Sequence, residues 1–372
     1  MKGSVHYETR GQIALLSIDN PPVNPLSSGV RQGLADGVTK ALADDDIKAV
    51  VITGMHRAFI AGADISEFGA AATQGVSLGE AMRQMETSTK PIIAAINGTA
   101  FGGGLEVALC CDYRIASPTA PLGLPEVKLG LLPGAGGTQR LPRLIGAEAA
   151  IQAIVSGAPI MAPAALKLGI IDRVAEGNIV DAGIAYAEEI VAAGGATRKI
   201  RDLEDVISKD RGNTAVFEKA RAQLNKTHRN QFAPEQIVKC VEAAVNAKTF
   251  DEGMAAEGKF FAECMKDPQR EALIHIFFAE RAANKIPGLG KDMPLIEINK
   301  GSVIGAGTMG GGIVMCFANA GIPVRMYDND AANLQRGLKV IEGNYARTVS
   351  KGRLSQADMD KRMALITPTE NF

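Results

Sequence analysis

Phe101-Gly-Gly-Gly-Leu-Glu106 stands between an apolar run, Ile92–Ile96, and a helical pattern, Leu105–Cys111. Three glycines therefore fall at a strand-to-helix turn, where backbone N–H groups lie open beside a helix N-terminus and negative charge is stabilised. Gly103 can donate to an oxyanion there. A second such turn, Ala58-Phe-Ile-Ala-Gly-Ala-Asp64, follows the run Ala49–Thr53 and offers the N–H of Ala63. Two converging donors make an oxyanion hole, which a thioester oxygen needs when it gains enolate character.

Glu106 lies just inside the helix, and Glu126 lies 20 residues later in Leu122-Gly-Leu-Pro-Glu-Val. Adding water across a double bond needs one group to take a proton and another to give one, and two carboxyls can divide that labour. Placed close together they repel, so the pair tends to hold one proton between them. Spacing alone leaves the plainer readings open: a charge favoured by the helix dipole for Glu106, an exposed loop carboxylate for Glu126.

Outward from this turn, Ile13–Ile18, Ala49–Thr53, Ile92–Ile96 and Tyr113–Ala116 read as strands, with Val30–Leu42 and Leu78–Ser88 as helices between them. Such alternation implies crossover connections and a mostly parallel sheet, an α/β fold. From Val180 to about Asn284 the strand signal disappears. Val180–Ala193, Ala215–Leu224, Pro234–Ala247 and Arg270–Asn284 read as helices of a tail or bridge. Turn residues at Ile286–Gly290 suit a linker before a new strand, Ile296 to Ile304. The division expected is 1–190, a helical tail and linker over 191–295, and a second α/β unit over 296–372.

Composition excludes several functions. Forty Lys and Arg against 41 Asp and Glu leave a net charge of −1, which argues against nucleic acid or an anionic membrane as main partner. The five cysteines have neither CxxC nor secretory spacing and read as small buried hydrophobes; the four histidines are isolated, so no metal is expected. Gly301 to Val324 is uncharged but rich in glycine, and reads as strand, turn and helix rather than a membrane span. No signal peptide or peroxisomal ending is visible, so a reducing cytoplasm is the expected compartment.

Phe59-Ile-Ala-Gly-Ala-Asp-Ile65, Asn97-Gly-Thr-Ala-Phe-Gly-Gly-Gly-Leu-Glu106 and Leu124-Pro-Glu-Val-Lys-Leu-Gly-Leu-Leu-Pro-Gly-Ala-Gly-Gly-Thr-Gln-Arg140 resemble the three signature segments of the crotonase (enoyl-CoA hydratase/isomerase) family. The resemblance covers roughly residues 5 to 190 and implies the crotonase-like ββα superhelix. It also implies Ala63 and Gly103 as oxyanion-hole donors, Glu106 and Glu126 as the catalytic pair, and a coenzyme A thioester as substrate. Members of this fold that only isomerise often lack one carboxylate, so the presence of both implies hydration of 2-enoyl-CoA, with 3- to 2-enoyl isomerisation as a second activity. A CoA thioester isomerase or hydrolase, or a domain that binds acyl-CoA without turnover, are the rivals. Arg57 is a candidate for the CoA phosphates on position alone.

Val303-Ile-Gly-Ala-Gly-Thr-Met-Gly310 is a GxGxxG run between an apolar strand and an apolar helix, Ile313–Ala320; a further strand, Pro323–Tyr327, ends at Asp328. Gly305, Gly307 and Gly310 permit a tight turn and close pyrophosphate approach, and Asp328 can bind ribose hydroxyls, favouring NAD over NADP. This segment resembles the NAD-binding Rossmann domain of 3-hydroxyacyl-CoA dehydrogenases. Only 77 residues run from Ile296 to Phe372, about half of a doubly wound domain, and the dehydrogenase's catalytic His and Glu have no matching positions. Phe277–Leu289 also resembles the linker of multifunctional β-oxidation enzymes. The resemblance thus implies a piece of a longer β-oxidation enzyme, with weak or absent NAD binding by this polypeptide, and self-association or a thiolase as protein partner.

Overall fold

The computed structural model describes residues 2–64, 75–283, 285–290, 293–294 and 296–371. Ile65, which ends the first signature segment, and Asn284, which ends the last expected helix of the tail, lie outside the described residues. The chain forms two compact units, Met1–Asn284 and Lys285–Phe372.

The first unit opens with β1 (Ser4–Arg10), β2 (Ile13–Asp19), α1 (Ser28–Ala43), β3 (Ala49–Gly54), β4 (Ala58–Ile60) and α2 (Leu78–Glu86). It continues with β5 (Ile92–Ile96), β6 (Thr99–Phe101), α3 (Gly103–Cys110), β7 (Tyr113–Ala116), β8 (Pro121–Gly123) and a 3-10 turn, Glu126–Leu129. Next come α4 (Gly137–Ile145), α5 (Ala147–Ser156), β9 (Ile160–Met161), α6 (Ala162–Leu168), β10 (Arg173–Val174) and α7 (Ile179–Ala192). Four helices follow: α8 (Thr214–Thr227), α9 (Phe232–Asn246), α10 (Phe250–Lys266) and α11 (Pro268–Ala283).

Six strands pair in the order β1-β2-β3-β5-β7-β10, and four in the order β4-β6-β8-β9. Each of β3, β5 and β7 lies in the first sheet, and the strand after it, β4, β6 or β8, lies in the second. The chain therefore lays one strand in each sheet per turn, the ββα superhelix expected. Burial on both faces explains why β3 and β5 are apolar but for Thr53. Val50 and Ile52 of β3, with Ile92, Ala94 and Ile96 of β5, enter the main core. Ala49, Val51, Ile93 and Ala95 face the other way, against Tyr186, Ala187 and Ile190 of α7.

The sequence pattern misses α10 entirely, and Cys264 on it is buried, as are Cys110, Cys111 and Cys240. Cys316 departs from the expected burial and is exposed. The helices α8 to α11, all within the 191–295 stretch, belong to the first unit.

The second unit runs β11 (Gly301–Ile304), α12 (Thr308–Asn319), β12 (Val324–Tyr327), α13 (Ala331–Ser350), α14 (Gln356–Ala364) and β13 (Ile366–Thr369). Its strands are parallel in the order β11-β12-β13. The strand expected from Ile296 begins at Gly301 instead. The register starts at Gly301 opposite Val324, and Pro323 before it has no N–H to extend the ladder. Ile296, 92% exposed, owes its strand-like pattern to alternation without a partner. The helix expected from Ile313 starts five residues earlier, at Thr308, so the glycine turn runs directly into it.

Candidate active site

The glycine turn is demanded by sterics. Gly102 has φ +54°, and a Cβ on Gly104 would stand 2.1 Å from the carbonyl oxygen of Ile60, so α3 can enter its buried position only without side chains there. Gly103 is the first residue of α3, where no intrahelical acceptor takes its N–H. A Cβ on it would lie 3.8 Å from the Ala63 nitrogen, so the two expected donors are neighbours across the turn. Ala63 is held by a parallel bridge to Leu26.

Glu106 is 3% exposed. Its Oε1 accepts the N–H groups of Ala135 and Gly137, each at 2.8 Å, at the start of α4. Burial raises its pKa, against the pull of those two donors and of the Arg140 charge. Arg140 is itself buried and anchored: its Nε and Nη2 donate to Glu86 Oε1 at 3.0 and 2.8 Å, and its Nη1 to the Ala135 carbonyl at 2.8 Å.

Glu126 begins the 3-10 turn after β8. Its Oε2 is buried without a hydrogen-bond partner. Burial first, and the charge of Glu106 second, push this carboxyl well above the usual carboxylate range. The structure thus brings Glu106 and Glu126 together. They differ in kind: one has an oxygen held by two donors, the other a buried oxygen with no partner.

A cleft of about 230 Å³ is lined by Ala63, Gly103, Glu126, Leu131, Phe277 and Arg281. Lys128 also reaches it, whereas Arg57 is not among its lining residues. A larger groove, about 550 Å³, lies along α5 and α8 and holds none of these carboxyls.

A third carboxyl escapes the sequence reading. Glu257 of α10 is fully buried; its Oε1 accepts the Gly136 N–H at 2.7 Å, and its Oε2 accepts the N–H and hydroxyl of Thr138. Burial, then the charge of Glu106, pushes Glu257 up to about 8. A signal for it exists. Thr249-x-x-Glu252 has the form of a helix-capping box, and Thr249 does cap α10 through the Glu252 N–H. On that helix Glu257 shares the buried stripe with Phe250, Gly253 and Cys264, an anomalous place for a charge.

In the second unit Gly305 has φ +100° and ends β11. A Cβ on Gly310 would stand 1.8 Å from the Gly305 oxygen, so α12 packs on the turn only as glycine. Around Gly307 nothing lies within 4 Å of where a Cβ would be. Asp328 follows β12 and accepts the Ala306 and Asp330 N–H groups at 2.8 and 3.1 Å, which hold its carboxyl below the usual range. Gly307 and Asp328 border one cleft of about 440 Å³. Open space at the helix start and an ionised acid at the next strand's end fit a dinucleotide. Among the described residues no group of three or more His, Cys, Asp or Glu is placed to hold a metal ion, and no helix is long and apolar enough to cross a membrane.

Residues 8–243 match the enoyl-CoA hydratase/isomerase family, and residues 300–372 match the NAD binding domain of 3-hydroxyacyl-CoA dehydrogenase. The chain is 40% identical over 345 residues to the peroxisomal bifunctional enzyme of Homo sapiens, across 91% of this chain and 47% of that protein. It is 33% identical over 373 residues to the fatty acid oxidation complex subunit alpha of Psychrobacter arcticus, across 95% of this chain and 51% of that one. Among solved structures, a carnitinyl-CoA hydratase from Mycobacterium avium is similar over 76% of this chain and 97% of its own, at 28% identity and TM-score 0.55. The chain belongs to the enoyl-CoA hydratase/isomerase family. It spans about half the length of the curated relatives it matches.

Proposed function

We propose that the first unit hydrates 2-enoyl-CoA thioesters to 3-hydroxyacyl-CoA, a step of fatty-acid β-oxidation. The observation that carries this reading is the unequal carboxyl pair: Glu106 tied to two N–H groups, and Glu126 with a buried, partnerless oxygen at the cleft.

The thioester oxygen rests on the N–H groups of Ala63 and Gly103, and water lies between the two carboxyls. Glu106, kept the more acidic by its donors and Arg140, takes a proton from water as the oxygen bonds to C3. Glu126, the more strongly raised, carries the resting proton and delivers it to C2. Negative charge gathers on the thioester oxygen between these events, so the two N–H donors bind the transition state better than the substrate. Passage of one proton from Glu106 to Glu126 restores the site. Lys128 and Arg281 at the cleft supply positive charge for the CoA phosphates.

When the pair's one proton sits on Glu106 instead, the free oxygen of an ionised Glu126 supports a second activity, removal of a proton from C2 of a 3-enoyl-CoA and its return at C4. In the second unit the turn at Gly305, Gly307 and Gly310 would hold the pyrophosphate of NAD, and Asp328 its ribose. NAD, when bound, accepts hydride from a 3-hydroxyacyl-CoA. The product of the first unit is thus the substrate class of the second, and a thiolase or a second copy of the chain is the protein partner this sequence of reactions favours.

The test follows loss of the conjugated thioester absorbance of crotonyl-CoA with the purified chain, Glu106→Gln and Glu126→Gln. Each variant is expected to lose at least about a hundredfold in kcat. Unchanged turnover in either removes that residue from the mechanism. Release of free CoA instead of 3-hydroxybutyryl-CoA makes the chain a thioester hydrolase.

A further inference from the structure

Four successive backbone N–H groups at the entry to α4 are shared alternately between two buried carboxyls from distant elements. Ala135 and Gly137 donate to Glu106 of α3, at 2.8 Å each; Gly136 and Thr138 donate to Glu257 of α10, at 2.7 and 3.2 Å. The turn can present its donors to opposite sides because Gly136 has φ +95°. The Glu257 side is braced further. Thr138 Oγ1 donates to Glu257 and accepts from Gln139 Nε2 at 2.9 Å, and that amide also donates to the Cys240 carbonyl of α9 at 3.2 Å.

We propose that Glu257 is a positioning residue for Glu106, holding the far side of the 135–138 turn so that its other two N–H groups fix the carboxyl that takes the proton from water. This rests on the hydratase reading above. Both oxygens of Glu257 are taken up by Gly136 and Thr138, so its action is through the turn rather than on substrate.

If Glu257 lets go of Gly136 and Thr138, those two N–H groups lose their buried acceptors and the turn must rearrange to satisfy them. The donors of Ala135 and Gly137 move with it, because they belong to the same four residues. Displacement of about 1 Å at a reacting group can cost on the order of a hundredfold in rate. The charged and titratable groups facing Glu257 are Glu106 from α3, Arg140 from α4 and Cys240 from α9, and its own charge reaches Glu126. At pH above about 8, where Glu257 is ionised, its removal also relieves repulsion at Glu126.

Glu257→Gln tests this. The amide oxygen can still accept from Gly136, but the amide nitrogen cannot accept from Thr138, so half the clamp is lost while the volume is kept. The expected result is a kcat lower by about tenfold to a hundredfold, a KM for crotonyl-CoA within about twofold of wild type, and a limb of the kcat profile moved to lower pH. Thr138→Val, which removes only the hydroxyl, serves should the first variant not fold, with a smaller fall in kcat and the same constant KM. Wild-type kcat and an unmoved pH profile in either folded variant overturn the positioning role alone. A wild-type chain without hydratase activity overturns the role together with the reading beneath it.

Discussion

The α-carbon of Gly102 faces the carboxyl of Glu126 so closely that a Cβ there would stand 2.9 Å from Oε1. The glycine turn thus does two jobs: it bends the chain into α3 and leaves room for the acid that begins the next 3-10 turn. Gly102→Ala is expected to displace Glu126 and lower kcat for crotonyl-CoA by at least about tenfold. The positive φ at this position adds about 1–3 kcal/mol of strain. A variant that melts lower but turns over at the wild-type rate would show that the space is not needed for catalysis.

The three buried carboxyls also set how stability depends on pH. Glu257 is pushed up from an ordinary 4.5 to about 8, and Glu106 and Glu126 are raised as well. Between these values the folded chain keeps a proton that the unfolded chain has released. Their contribution is fully present below pH 4.5 and is lost as pH rises towards 8. Surface carboxyls such as Glu8, Asp19 and Glu189 are shifted downward, so their effect falls at lower pH and does not overlap. Calorimetry on the whole chain should show the melting point of the first unit falling across this window, and falling less in Glu257→Gln. A flat profile would mean the carboxyls are hydrated rather than buried.

Much of this was legible in the sequence because the information is local. Gly102 to Glu106 carries turn, helix start and acid within five residues, and Glu126 sits in a comparable turn. Two-residue alternation inside β2, β3 and β5 is hidden by burial on both faces, yet the apolar runs themselves mark the strands. Glu257 was legible only as an acid on the buried stripe of a capped helix, not by its partner. It meets Gly136 across 121 residues of sequence, and no spacing rule links them; only the fold of α10 onto α4 does. The Ile296–Ile298 alternation failed for the opposite reason, since a local strand pattern has no force without a neighbour to pair with.

The Arg140–Glu86 pair, 2.8 Å apart with side chains 3% and 7% exposed, ties the end of α2 to the helix that carries the donors for Glu106. Breaking such a pair from one side leaves a buried uncompensated charge. Glu86→Ala is expected to cost about 3–5 kcal/mol in urea denaturation of the first unit. Glu148→Ala, which breaks an exposed pair with Lys219, is expected to cost less than about 1 kcal/mol. Equal costs would mean that water reaches Arg140.

The last two glycines of the second unit's motif should separate folding from ligand approach. At Gly310 an added methyl would collide with the Gly305 oxygen at 1.8 Å, so Gly310→Ala must push α12 off β11 and lower the melting point of the second unit. At Gly307 an added methyl meets nothing within 4 Å, and the residue precedes α12 with φ −73°, which any residue adopts. Gly307→Ala is therefore expected to melt as wild type does. The same methyl points into the space proposed for the pyrophosphate, so any rise in wild-type melting point produced by NAD should be absent in this variant. A loss of stability in Gly307→Ala without ligand would show that the turn is packed from that side, and would remove the case for an open phosphate site there.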